Sequence, residues 1–169
     1  MVITYIPPKL ETSTREIAIQ KGKYIIGYMQ RYQQGIEGQL NTGVNLEVVS
    51  EETNDEYTIQ QELFHSNGGL VWTIFKDEVV IGDIQSNPDG TKKHRIIANV
   101  KGHLPIQVTS TWKRTGKINK KGSTVIKGLF NHKIQIDSLH ELKEVDSSLL
   151  ASIVYIFWSS QEHPNKKRS

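Results

Sequence analysis

The segment DSSLLASIVYIFWSSQ, from Asp146 to Gln161, constrains the fold more than any other part of this chain of 169 residues. From Leu149 to Trp158 nine of ten residues are apolar, so a helix here has no polar face for water and must be buried. Ten helical residues rise only about 15 Å, which is too short for the hydrocarbon core of a bilayer, about 30 Å thick. The segment therefore predicts a short helix that other elements surround.

The residues before this segment favour a helix over a strand, although Ile153 to Trp158 is rich in β-branched and aromatic residues. Asp146 is a suitable N-cap, and Val145 and Leu150 occupy the two positions of a hydrophobic staple. Pro164 follows a polar run, as is typical after a helix end. The side chains predicted to form the buried central helix are Leu149, Leu150, Ile153, Val154, Ile156 and Phe157.

The composition favours a single cytoplasmic domain. A chain of this length can bury a core without disulfides or metal ions, and the sequence contains no cysteine. The first ten residues, MVITYIPPKL, lack the cationic start and apolar run of a signal peptide. We expect one domain over residues 1–160, a short basic polar tail over residues 161–169, and a cytoplasmic location, with peripheral membrane association open.

Most of the chain before the helix has the pattern of β-strands. Apolar residues alternate with polar ones from Leu104 to Trp112 and, more weakly, from Tyr57 to Leu63. Turn signals such as Lys21-Gly22, Asn67-Gly68-Gly69 and Lys121-Gly122 separate the predicted strands. A closed antiparallel barrel of about ten to twelve strands would hide a wholly apolar helix on every side, so we predict an all-β barrel around the C-terminal helix.

One hairpin sequence occurs twice within this pattern. The segment IAIQKGKYIIGYMQ, residues 17–30, aligns without gaps with WTIFKDEVVIGDIQ, residues 72–85. The two segments share the lysine at the turn, the Ile-Gly pair and the final glutamine. This agreement indicates that one hairpin design is used twice. Strand alternation would place Ile25, Gly27 and Met29 on one face, with Val80, Gly82 and Ile84 on the same face of the second copy. Each glycine then either makes room for the helix or marks a bulge.

These features together resemble the Tubby C-terminal superfamily, which includes phospholipid scramblase-like and LURP-one-related proteins. The resemblance is carried by the Ile-Gly-x-[Met/Ile]-Gln hairpin, its second copy and the segment DSSLLASIVYIFW, and it extends from Ile17 to Trp158. It implies an antiparallel barrel of about twelve strands threaded by a hydrophobic C-terminal helix. The eukaryotic Tubby domain binds phosphoinositide headgroups through basic residues, although its basic positions have no residue-by-residue match here.

Charge is distributed unevenly along the chain. Residues 91–136 contain eleven Lys or Arg and no Asp or Glu, whereas residues 1–90 contain six Lys or Arg and thirteen Asp or Glu. A face kept soluble by charge usually mixes both signs, so this band predicts docking to an anionic partner. The residues predicted to bind it form two groups: Lys92, Lys93 and Arg95 in one, and Lys113, Arg114, Lys117, Lys120 and Lys121 in the other. In a barrel of hairpins these two groups could come together on one face or rim.

The positive charge of this band favours an anionic membrane lipid as the partner. The alternative is that this protein is a scaffold or regulatory module and that the band binds an acidic protein. Proteins that bind single-stranded nucleic acid interleave stacking aromatics with their cations, whereas this band offers only Trp112 and Phe130, which we predict to be core. Nucleic acid is therefore not the expected partner. A third hypothesis is that the helix leaves the barrel and inserts in a membrane, with Lys166, Lys167 and Arg168 as its basic flank.

The sequence predicts neither an enzyme nor a cofactor. Its six histidines are scattered singly, and no HExxH motif or cluster of His and carboxylate residues indicates a metal site. Gly116-Lys117 lacks the further glycine and the Ser or Thr of a phosphate-binding loop, and the acidic stretch from Glu51 to Glu56 lacks the spacing of a calcium-binding loop. We expect a non-catalytic binding domain without a bound metal.

Overall fold

In a computed structural model, the described residues form a closed antiparallel barrel of twelve strands and one α-helix. These residues are 1–33, 43–62, 69–87, 93–138 and 142–161. Each strand pairs with its neighbours in the sequence, and the first strand pairs with the last, which confirms the predicted barrel of hairpins. The elements are β1 (Val2–Tyr5), β2 (Ile17–Lys21), β3 (Tyr24–Arg31), β4 (Leu46–Ser50), β5 (Glu56–Gln61), β6 (Val71–Lys76), β7 (Val79–Ser86), β8 (Arg95–Val100), β9 (Ile106–Trp112), β10 (Thr115–Ile118), β11 (Gly122–Lys127), β12 (Lys133–Asp137) and α1 (Ser147–Ser160).

Strand alternation separates the barrel interior from its outer surface. In β4, for example, Leu46, Val48 and Ser50 are buried, whereas Glu47 and Val49 are exposed. Successive side chains of a strand point to opposite faces, so each such segment contributes one apolar face to the interior. Closure of the sheet leaves no free strand edge among the twelve described strands and creates a cavity that an apolar helix can fill.

Helix α1 fills this interior. All of its residues from Ser147 to Phe157 are buried, and the six side chains predicted for the central helix are each at most 3% exposed. The helix approaches Gly27 of β3 near its start and Gly116 of β10 near its end, on different sides of the barrel wall. It extends to Ser160, two residues beyond the apolar segment that predicts it.

Asp146 fixes the start of α1 to the barrel wall. Its carboxylate accepts a hydrogen bond from the backbone N–H of Ser148 at 3.0 Å, as predicted for an N-cap. It also accepts hydrogen bonds from three hydroxyls near the β4–β5 turn, those of Ser50 at 3.0 Å, Thr53 at 2.9 Å and Tyr57 at 2.9 Å. Burial, and then the bond to Asp146, raise the pKa of Tyr57 well above its ordinary value.

The two similar segments, residues 17–30 and 72–85, form hairpins of the same structure. The pairs β2–β3 and β6–β7 have corresponding registers, and both contain a bulge at the equivalent place, after Ile19 in one and after Ile74 in the other. The bulge adds one residue to the second strand and reverses the alternation at that point. The prediction that Ile25 and Val80 share a face with Gly27 and Gly82 is therefore wrong: their side chains are on the outer face, 46% and 59% exposed.

The two equivalent glycines have different neighbours. A Cβ atom on Gly27 would collide with Ser148 of α1, as expected if the glycine makes room for the helix. A Cβ atom on Gly82 would instead collide with the backbone carbonyl of Asn99 in β8. In the first copy the glycine allows the helix to pass, and in the second it allows two strands to approach at the bulge.

The antiparallel strand order assigns each connection to one of two barrel ends. Turns alternate between the ends, so the β4–β5, β6–β7, β8–β9 and β10–β11 connections lie at the end where α1 begins, which we call the entry end. The β7–β8, β9–β10 and β11–β12 connections lie at the opposite, exit end. There the His94 Nε2 atom lies 2.9 Å from the backbone oxygen of Phe157 and 3.1 Å from the Ser160 hydroxyl.

Candidate functional site

Four of the predicted anion-binding residues lie at the exit end. Lys93 precedes β8, Arg95 is the first residue of β8, and Lys113 and Arg114 form the turn between β9 and β10. The side chains of Lys93, Arg95 and Lys113 are exposed, and Arg114 is half-buried. Because β8, β9 and β10 are neighbours in the barrel, these cations share one part of its rim.

The other predicted residues do not join this group. Lys117 lies on the outer face of β10, and Lys120 and Lys121 lie in the β10–β11 turn at the entry end. The expectation that the two basic groups come together on one face or rim does not hold for these three residues of the second group, because consecutive hairpin turns lie at opposite ends of a barrel. Lys92 and the predicted basic tail from residue 162 onward lie outside the described residues.

Two further cations, Lys127 and Lys133, complete the group at the exit end. They are direct partners across the β11–β12 ladder, and both are exposed. Like charges directly opposite each other in a ladder are destabilising, so a bound anion between them would relieve this repulsion. Both residues lie within residues 91–136, the band that contains no Asp or Glu, but only the pairing of β11 with β12 shows that they face each other. We call Lys93, Arg95, Lys113, Arg114, Lys127 and Lys133 the basic rim.

Three large apolar side chains on the same hairpins are largely exposed to solvent. Trp112 is 76% exposed, Leu129 is 81% exposed and Phe130 is 86% exposed. The prediction that Trp112 and Phe130 belong to the core is wrong. A register shift between β9 and β10 adds one residue to β9 between Ser110 and Trp112, and Phe130 lies in the turn after β11 has ended, so neither follows the inward alternation of a strand. We call Trp112, Leu129 and Phe130 the apolar tips.

Arg114 links the two hairpins that carry these tips. Its Nη2 atom donates a hydrogen bond to the backbone oxygen of Gly128 at 2.5 Å, and its own backbone oxygen accepts one from the N–H of Ile126 at 2.9 Å. Its φ of 66° is in the left-handed region, which is unusual for a residue with a side chain. These contacts hold the β9–β10 and β11–β12 tips beside each other.

The entry end has a different charge pattern, in which cations and acids are mixed. Lys21 pairs with Glu52 at 3.1 Å, and Lys76 pairs with Asp55 at 3.3 Å. All four residues line a cavity of about 620 Å³ around the start of α1. Because acids neighbour these lysines, the entry end attracts anions less than the basic rim does.

The described residues show neither a metal cluster nor a membrane-spanning helix. In residues 1–33, 43–62, 69–87, 93–138 and 142–161, no three His, Asp or Glu side chains come together so that they could hold a metal ion. No helix in the same ranges is long and apolar enough to cross a membrane.

Comparisons of the chain with family models, with curated proteins and with solved structures found no match.

Proposed function

We propose that this protein is a non-catalytic binding domain that docks reversibly, by the exit end of its barrel, on membranes containing acidic phospholipids or phosphoinositides. The observation that carries the proposal is the basic rim, six cations on neighbouring hairpins within a band that contains no acid. Among the residues that the structure describes, the acids in the connections at this end are Glu11, Glu16 and Glu62, which belong to the β1–β2 and β5–β6 connections instead.

The expected strength of this interaction is that of a peripheral membrane protein. A Lys or Arg near an anionic leaflet contributes on the order of 1 kcal/mol, so the basic rim supplies roughly 6 kcal/mol at low ionic strength. Exposed charges are screened over about 8 Å at physiological salt, so part of this attraction is lost there. Binding should therefore be reversible and sensitive to salt.

The resemblance to the Tubby C-terminal superfamily supports the same proposal. A barrel of twelve strands around a hydrophobic C-terminal helix is the architecture that this resemblance implies. The eukaryotic Tubby domain binds phosphoinositide headgroups through basic residues. We propose membership of this superfamily on those grounds, with anionic headgroups as the shared class of ligand.

Co-sedimentation with liposomes tests the proposal. Wild-type protein should pellet with vesicles of phosphatidylcholine mixed with phosphatidylserine, should stay in solution with phosphatidylcholine alone, and should be released as salt increases. A vesicle series with a phosphoinositide added then measures headgroup preference. The absence of binding to every anionic vesicle would contradict the proposal and would favour an acidic protein as the partner of the basic rim.

A matched pair of variants assigns the interaction to one end of the barrel. The exit-end variant combines Lys113→Glu, Lys127→Glu and Lys133→Glu, and the entry-end variant combines Lys101→Glu, Lys120→Glu and Lys121→Glu. All six lysines are exposed, and both variants change net charge equally. We expect the first variant to lose vesicle binding and the second to keep it. Equal loss in both would show that overall charge, rather than the basic rim, is responsible.

A further inference from the structure

The apolar tips are surrounded by the cations of the basic rim. Lys113 follows Trp112 in the chain, and the ladder partners Lys127 and Lys133 enclose the turn that carries Leu129 and Phe130. Large apolar side chains that are at least three quarters exposed and grouped at one place mark an interaction surface. Their partner must offer apolar contact and negative charge at the same time.

We propose that Trp112, Leu129 and Phe130 insert into the interfacial region of an anionic bilayer, so that the barrel stands on the membrane by its exit end. The inference rests on the proposed function and adds to it a depth, an orientation and the residues that enter the membrane. A bilayer interface places phosphates beside an acyl layer, which matches cations beside apolar side chains. Tryptophan is also enriched at this depth because its ring is amphipathic.

The charge of the rim argues against a second copy of this chain as the occupant. Two exit ends placed together would bring Lys113, Lys127 and Lys133 of one copy against like charges of the other, which is unfavourable. A folded acidic protein would need a pocket for each of three separate side chains, whereas a fluid interface accepts them without preformed pockets. Anionic lipid therefore satisfies both the charge and the apolar side chains.

The hairpins are held in a geometry suited to insertion before they reach a membrane. The bond from Arg114 to the Gly128 carbonyl joins the two turns, so the tips need little ordering on binding. The entry end also exposes apolar side chains, such as Val79 at 64% and Leu104 at 79%. Val79, however, directly follows Asp77 and Glu78, which an anionic surface repels.

Fluorescent labelling of single cysteines measures insertion directly. The chain contains no cysteine, so Phe130→Cys and the control Val79→Cys each create one labelling site. An environment-sensitive dye at position 130 should shift to the blue and become protected from iodide quenching when phosphatidylserine vesicles are added. The same dye at position 79, at the opposite end, should show neither change. A dye response at position 79 instead of position 130 would overturn the proposed orientation.

Sedimentation of the same labelled samples separates the two proposals. Protein that pellets with anionic vesicles while the dye at position 130 stays unchanged would overturn insertion and leave electrostatic docking intact. If neither the wild type nor the labelled Val79→Cys protein, which both keep all three apolar tips, pellets with these vesicles, both proposals are overturned. The blue shift together with pelleting supports both.

Truncation of the tips gives an independent measure that does not depend on a dye. Trp112→Ala, Leu129→Ala and Phe130→Ala should each weaken vesicle binding by about tenfold, because each removes a side chain transferred from water to the interface. The control variant Val79→Ala/Leu104→Ala should bind like the wild type. Because all these side chains are exposed, the fold should be retained, as circular dichroism can verify. Unchanged binding of all three alanine variants would overturn the inference.

Discussion

Gly27 of β3 and Ser148 of α1 are in direct contact at the place where the helix enters the barrel. The Ser148 hydroxyl donates a hydrogen bond to the backbone oxygen of Ile26 at 3.3 Å. A Cβ atom on residue 27 would collide with this hydroxyl and would lie 2.6 Å from the backbone oxygen of Val49. The close approach of helix and wall therefore depends on the missing side chain.

The substitution Gly27→Ala should lower the free energy of unfolding by about 2 to 3 kcal/mol, because the added methyl group overpacks this contact. Urea unfolding followed by tryptophan fluorescence measures the change. In a Ser148→Ala background the closest atom is absent, and the cost of Gly27→Ala should fall by about 1 kcal/mol. The same cost in both backgrounds would show that Ser148 does not limit the space at Gly27.

Replacement of Asp146 by alanine should lower the free energy of unfolding by about 3 kcal/mol. The variant loses the N-cap and leaves three hydroxyl groups without their shared acceptor. Asp146→Asn keeps a side-chain oxygen that can cap the helix, so its cost should be smaller. Chemical unfolding of both variants measures the difference, and an asparagine variant as unstable as the alanine variant would contradict the capping role.

The protein should lose stability in alkali, in part through Tyr57. The pKa of Tyr57 is raised in the folded state, by burial first and by Asp146 second, whereas an unfolded chain has a tyrosine pKa of about 10. Its contribution is therefore fully present below pH 10 and is lost as the pH rises toward the folded-state pKa, because only the unfolded chain releases the proton.

The comparison of wild type with Tyr57→Phe tests this pH dependence. The urea midpoint of the wild type should fall between pH 9 and pH 11, and the phenylalanine variant, which has no proton to release at this position, should show a smaller fall. Tyr5, whose pKa is also raised by burial, leaves the variant with a residual dependence. An identical fall in both proteins would show that Tyr57 does not contribute.

The substitution Ile153→Asp should prevent folding. Ile153 lies inside the barrel and is fully buried. An unpaired carboxylate at this position costs several kcal/mol, which is a large part of a typical free energy of unfolding of about 5 to 15 kcal/mol. Ser159→Asp adds the same charge to an exposed residue of the same helix and should fold normally. Thermal unfolding and gel filtration distinguish the variants. A folded Ile153→Asp protein with the wild-type melting temperature would contradict the central position of α1.

Features that depend on local patterns were predictable from the sequence. The run of apolar residues from Leu149 to Trp158 indicated a helix that must be buried on all sides, and Asp146 indicated where this helix begins. Period-two alternation and turn residues indicated a barrel of hairpins, and the matching segments 17–30 and 72–85 indicated one hairpin used twice. Each of these signals acts over a few neighbouring residues, so the order of residues along the chain is enough to show it.

The assembly of the candidate site was decided by the tertiary structure. The sequence alone determined that the cations lie in one acid-free band, but strand pairing placed Lys113 and Lys120 at opposite ends and brought Lys127 against Lys133. A register shift turned Ile25 away from the face of Gly27, which alternation predicted it to share, and the end of β11 left Phe130 in solvent. Register and bulges depend on hydrogen bonds between strands, whose partners local periodicity does not specify.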